Sequence, residues 1–211
     1  MAFGSSARRT QVASRLLQAA IGAVLLVGLA TRNLSVVVNA TLALSVTFLP
    51  GVLARDYGLT VGPGLVLLLT SALFLHTLGM LGLYDGVWWY DHVTHTLSAM
   101  LVAGVGYTVT RAVDRYSEAI YLPDRFLAVY IVLVTLAAGV FWEMLEFLAR
   151  EFAVLLALEP VLVQYGLGDT LVDLVFDAVG AGIVALFGTE RFEGLVGRVT
   201  VWLEERTAGG R

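Results

Sequence analysis

The chain has 211 residues, of which 58% are hydrophobic and 14% charged, with a mean hydropathy of +0.84 and a formal net charge of −4. That composition lies far outside ordinary soluble domains and identifies an integral membrane protein. Cysteine is absent, which excludes disulfides, thiolate metal sites and cysteine nucleophiles, so any bound metal must be held by oxygen and imidazole.

Six stretches approach the roughly 20 apolar residues that cross a hydrocarbon core. They are 13–31, 34–53, 62–82, 92–112, 126–149 and 169–188, and they predict an all-α polytopic bundle built as a single domain over 1–211. The first follows the arginine-bearing head SSARRTQVASR and lacks a small-residue cleavage pattern, so it reads as a retained anchor. LPG (49–51) and VGPG (61–64) mark helix ends on either side of a short turn. Trp88, Trp89, Tyr90 and Trp142 fall where an aromatic interfacial belt is expected. The segment FAVLLALEPVLVQYGLG (152–168) is apolar, external and interrupted by Pro160, the pattern of a surface strip or lid over the outer ends of the helices. Residues 190–206 place Phe192, Leu195, Val196, Val199 and Leu203 on one face, which predicts a cytoplasmic interfacial amphipathic helix.

All thirteen basic residues are arginine. With the N-terminus inside, eleven fall on the cytoplasmic side and only Arg32 and Arg150 outside. The positive-inside rule therefore predicts a cell-membrane protein with both termini cytoplasmic.

In that topology the polar residues of the last four spans share one layer in the outer half. His76 lies in span three, Asp91, His92 and His95 open span four, Glu143 and Glu146 end span five, and Asp169, Asp173 and Asp177 open span six. Asp91 and His95 stand at i and i+4, Glu143 and Glu146 at i and i+3, and the three aspartates at i, i+4 and i+8, so each helix carries one polar stripe. A charge facing lipid costs at least about 2.5–3.5 kcal/mol, so the stripes face the bundle interior. The carboxylates outnumber the histidines and no arginine shares their depth. Either several stay protonated or a divalent metal supplies the missing charge.

Imidazole and carboxylate together suit iron, manganese or zinc. Asp91, His95, Glu143, Asp169, Asp173 and His76 are the candidate ligands, and Asp177 and Glu146 the candidate proton acceptors. Simpler roles compete at several positions. Asp169 fits an N-cap as well as a ligand. His76 fits packing, His92 fits a solvated interface, and Glu146 fits an ion pair with Arg150.

YDHVTHTL, WEMLEFLARE and GDTLVDLVFDAVGA together resemble the YjdF-like family of small inner-membrane proteins, with a looser likeness to VanZ-like proteins, over about residues 84–182. The matching positions are Tyr90, Asp91, His95, Glu143, Glu146, Asp169, Thr170, Asp173, Gly180 and Ala181. Gly168 and Ser98-Ala99 depart from the family pattern. The resemblance implies the site residues without implying a reaction.

The expected function is therefore that of a membrane protein with an outward-facing, metal-binding carboxylate and histidine centre, acting on a lipid or isoprenoid substrate. An ion- or proton-coupled transporter and a purely structural polar network are the alternatives. The lipid bilayer is the expected partner, and nucleic acid is not.

Overall fold

The computed structural model describes residues 2–158, 160–162 and 164–208; Arg211 of the arginine count lies outside them. All regular structure among the described residues is helical. The elements are α1 (Ala2–Thr31), α2 (Leu34–Thr47), α3 (Leu49–Tyr57), α4 (Pro63–Leu78), a π-turn (Gly79–Leu83), α5 (Tyr84–Gly86), α6 (Tyr90–Tyr116), α7 (Asp124–Leu156), α8 (Leu167–Ile183), a second π-turn (Val184–Gly188) and α9 (Thr189–Ala208). Six helices are long and apolar enough to cross a membrane: Ser6–Thr31, Leu34–Tyr57, Pro63–Gly86, Tyr90–Tyr116, Asp124–Leu156 and Leu167–Ala208. Five contain an expected span whole, and Pro63–Gly86 covers all of 62–82 but its first residue.

Local chemistry sets the boundaries. Asn33 caps α2 by accepting from the Val36 amide at 3.1 Å. LPG does not end the second span. Pro50 removes one amide hydrogen and bends the chain at Phe48, after which α3 continues to Tyr57 and stops at Gly58, whose φ of +69° is the left-handed helix-ending conformation. Pro63 then opens α4 at a position where its missing N–H costs nothing. α7 has 33 residues, on the order of 50 Å, and overshoots a hydrocarbon core of about 30 Å. It closes in a left-handed cap at Ala157, with the Leu158 amide returning to Ala153 O at 2.9 Å.

The sixth span and the C-terminal helix form one run, Leu167–Ala208, bent only through the π-turn. The amphipathic face predicted for 190–206 lies on protein. Phe192 and Val196 are buried, and Val199 and Leu203 pack on the same core. Glu193 accepts from Tyr107 Oη at 2.5 Å and pairs with Arg115 at 2.7 Å. Trp202 lies against Tyr57, with Arg206 stacked over both rings. α9 thus fastens the C-terminal ends of α3 and α6.

Leu26, Leu133, Phe141 and Val175 lie exposed on the bundle's outer surface, as a lipid-facing wall requires. The interior uses small residues, with Ala40, Ala72, Ala99, Ala103 and Ala181 buried. Such residues let membrane helices approach closely. A Cβ at Gly180 would meet the Thr96 carbonyl of α6, and a Cβ at Gly139 of α7 would meet Asp177 Oδ2. These two contacts bring α6, α7 and α8 together at the depth of the polar stripes.

Candidate metal centre

α6 begins beside Trp88 and Trp89 and presents Asp91 in its first turn, with His95 one turn deeper. α8 lies alongside α6 and supplies Asp173 and Asp177 from a second face, both buried. His95 is the hub. Its Nδ1 lies 3.2 Å from Asp177 Oδ1, and its Nε2 lies 3.7 Å from Asp91 Oδ1 and 4.0 Å from Asp173 Oδ2. One ligand atom from each of Asp91, His95 and Asp173 lies within 4.8 Å of the other two.

The ring is therefore used asymmetrically. A carboxylate only accepts, so Nδ1–H donates to Asp177; in the neutral imidazole this leaves the Nε2 lone pair facing two carboxylate oxygens. Those separations are too long for hydrogen bonds. Donors about 2.0–2.2 Å from a shared tetrahedral ion sit roughly 3.3–3.6 Å apart, so a modest contraction would accommodate a cation. Two further carboxylate oxygens, Asp173 Oδ1 and Glu143 Oε1, are buried with no hydrogen-bond partner, in residues 1% and 4% exposed. Such oxygens call for a positive charge or a proton. The set fits a divalent cation on chemistry and on geometry.

The other candidates are spread around this hub. Glu143 Oε2 accepts from Thr170 Oγ1 at 2.7 Å, tying α7 to α8, and Glu143 is not part of the three-residue ligand cluster. Asp169, in the first turn of α8, accepts from the Tyr165 amide at 3.2 Å, while Gly166 and not Asp169 is the N-cap. His76 has both ring nitrogens in hydrogen bonds, to Tyr84 Oη at 2.9 Å and Asn39 Oδ1 at 3.1 Å. Glu146 accepts from Trp142 Nε1 at 2.9 Å, while Arg150 turns to Glu151 and the Gln164 carbonyl, so the expected Glu146–Arg150 pair does not form. His92 is not a solvated surface residue. Its ring stacks on Phe176 with centroids 4.4 Å apart, at the contact of α6 with α8.

A cavity of about 400 Å³ opens beside the hub. Asp91, His95, Asp177, Glu146 and His76 form its polar wall, and Leu73, Met80, Leu101, Val102, Ala138 and Leu162 are among its apolar lining. Tyr165 also lines it and donates to Asp85 Oδ1 at 2.6 Å. Burial, and then the Asp85 hydrogen bond, hold the Tyr165 phenol above its ordinary range, so it remains a donor.

Sequence reading passed over Asn39, Tyr84, Thr94 and Tyr165, all of which join the polar network. Only Asn39 carried a signal, as a lone amide in the middle of an apolar span. Tyr84 and Thr94 look ordinary until the π-turn, with Gly82 at φ +107°, folds Tyr84 back over Gly79.

The family described as Predicted membrane protein (DUF2238) matches residues 13–194, including the first two spans. The resemblance to YjdF-like proteins is consistent with that match. An uncharacterized protein of Thermotoga maritima is 27% identical over 121 residues, 56% of this chain and 58% of that relative's length. No solved structure matches the chain.

Proposed function

The chain belongs to the DUF2238 family of predicted membrane proteins, and from that premise and the geometry of the hub we propose that it binds a divalent cation within the bilayer and acts on a lipid or isoprenoid seated in the adjoining cavity. The observation that carries the reading is the environment of His95 Nε2. With Nδ1–H committed to Asp177, a lone pair and two carboxylate oxygens converge at 3.7 and 4.0 Å. Without a cation or a proton on Nε2 that arrangement is repulsive.

Asp91, His95 and Asp173 would hold the ion, and the mixed imidazole and carboxylate set suits iron, manganese or zinc. When bound, such an ion supplies Lewis acidity and lowers the pKa of bound water. The chain's own residues do the rest. Asp177 orients the imidazole, a positioning role in place of the proton-acceptor role expected from sequence. Glu146, on the cavity wall, is the group suited to take a proton. The apolar wall suits an acyl or prenyl chain lying alongside, with its polar end toward the hub.

Elemental analysis of protein purified without chelators tests the reading. Wild-type protein should carry near-stoichiometric transition metal or zinc, and the His95→Ala/Asp173→Ala variant should carry almost none. Equal metal content in the two would overturn it and leave an imidazolium–carboxylate network as the account.

A further inference from the structure

One stripe runs along α6 from the hub. Asp91, His95 and Ser98 continue at i+3 and i+4 spacing into Val102, Val105 and Val109, so all six project from one face of the helix. The first four line the cavity. The last three are apolar and open, at 36%, 62% and 53% exposure. The cavity floor therefore does not stop at Val102 but runs on along α6 as an apolar groove.

The walls over that floor come from α4 and α7, which both pack on α6. Ala72 and Leu73 line the cavity from α4, and Thr135 and Ala138 line it from α7. Thr135 gives its hydroxyl hydrogen to Ile131 O at 2.8 Å. Nearer the hub, His76 of α4 and Trp142 of α7 meet edge-on, with ring centroids 6.2 Å apart, and bridge the two walls. The opening lies on the valine side of that pair. α6 is one of the membrane spans, so an opening at Val102–Val109 faces hydrocarbon and not water.

We propose that the groove seats one hydrocarbon chain of a bilayer lipid, which enters sideways from the membrane and lies along Val102, Val105 and Val109 with its polar end at the hub. The inference rests on the reading above and adds the route of entry and the length class of the substrate. An apolar face alone would suit a neighbouring helix; its continuity with a polar centre at one end selects an amphiphile. A chain leaving lipid for the groove gains nothing from the hydrophobic effect, so fit and the polar end decide occupancy. From His95 to Val109 is on the order of 20 Å. An extended chain advances roughly 1.1–1.2 Å per bond, as a backbone does at about 3.3–3.6 Å per three bonds, so the groove matches roughly 17 carbons. That is a long acyl or prenyl chain already resident in the bilayer, and not a short amphiphile arriving from water.

Photocrosslinking of the full chain in lipid nanodiscs tests this, with a palmitic acid carrying a diazirine on its chain as the probe. Wild-type protein should form adducts on Leu73 and Ala138, on the two cavity walls, as well as on the lipid-facing Leu26 and Phe141. Val105→Trp fills the groove beyond the cavity and replaces no residue of the walls or the hub. It should lower the Leu73 and Ala138 adducts by about 5-fold or more, the least that overpacking costs. The Leu26 and Phe141 adducts and the Mn²⁺ affinity should stay at wild-type level. Val109→Trp should act in the same direction, which covers the case in which Val105→Trp fails to fold. Wild-type protein without adducts on Leu73 and Ala138, or adducts undiminished in both variants, overturns the groove and leaves the metal site standing where Mn²⁺ is still bound. Disulfide-linked dimers of Val105→Cys, in a chain with no other cysteine, also overturn it, with a second copy as the occupant. Wild-type protein that binds neither Mn²⁺ nor Zn²⁺ removes the reading on which the polar end rests, a result seen in metal content alone.

Discussion

At the scale of single residues, the chemistry of the hub is set by which atom of each side chain is occupied. Asp91 and His95 at i and i+4, and Asp173 and Asp177 one turn apart, were legible from spacing alone because a helix allows no other face. What spacing could not show was that Asp177 sits on the far side of the imidazole from Asp91 and Asp173. The choice between packing and ligation at His76 was left open for a related reason. Its partners Asn39 and Tyr84 come from another span and from a π-turn, and no local pattern announces either. Asp177→Ala should lower metal affinity by about 10–100-fold while leaving the three ligands in place, as loss of a carboxylate behind a ligating histidine does. Asp177→Asn, which retains an acceptor, should cost less; metal titration of both proteins checks the order. At Tyr165 the sign of pH dependence follows from its raised phenol. Stability from the protonated hydroxyl is complete below the ordinary tyrosine value of about 10 and is lost only as pH rises through the higher folded value. Amide protection around Tyr165, corrected for intrinsic exchange, should therefore be flat from about pH 6 to 9, and a loss of protection within that window would contradict the assigned donor.

At the scale of elements, close helix approach decides whether the hub forms. Gly139 and Gly180 leave room for Asp177 and the Thr96 carbonyl, and these contacts, rather than propensity, align α6, α7 and α8. Gly139→Ala should destabilise the protein by about 1–3 kcal/mol through overpacking and also weaken metal binding by displacing Asp177. Thermal unfolding in detergent with and without metal separates the two effects. Where α6 meets α9, Tyr107→Phe removes the hydroxyl that donates to Glu193 while leaving the ring buried. The partly exposed partner limits the loss to about 1 kcal/mol, a fall of about 2–4 °C in Tm. The sequence showed six apolar runs plainly, because length and hydropathy are local quantities. The continuation of the sixth run into α9 was hidden because an amphipathic pattern does not say whether its apolar face meets lipid or protein. The same holds for LPG, where proline bends a helix that tertiary contacts then continue.

At the scale of the whole molecule, the arginine distribution predicts that the hub and its cavity face outward. The natural absence of cysteine allows a direct check. Glu151→Cys, exposed near the C-terminal end of α7, should react with an impermeant maleimide in intact cells. Ser117→Cys, in the turn between α6 and α7, should react only after permeabilisation, and the reverse pattern would invert the topology. Everything proposed for the cavity depends in the end on the ion at its wall. X-ray absorption spectroscopy of the metal-loaded protein tests that most directly. The expected spectrum has one imidazole and at least two oxygen donors at about 2.0–2.2 Å, with the imidazole signature lost in His95→Ala. A bound metal with only oxygen donors in wild-type protein, unchanged by His95→Ala, would contradict the centre described here.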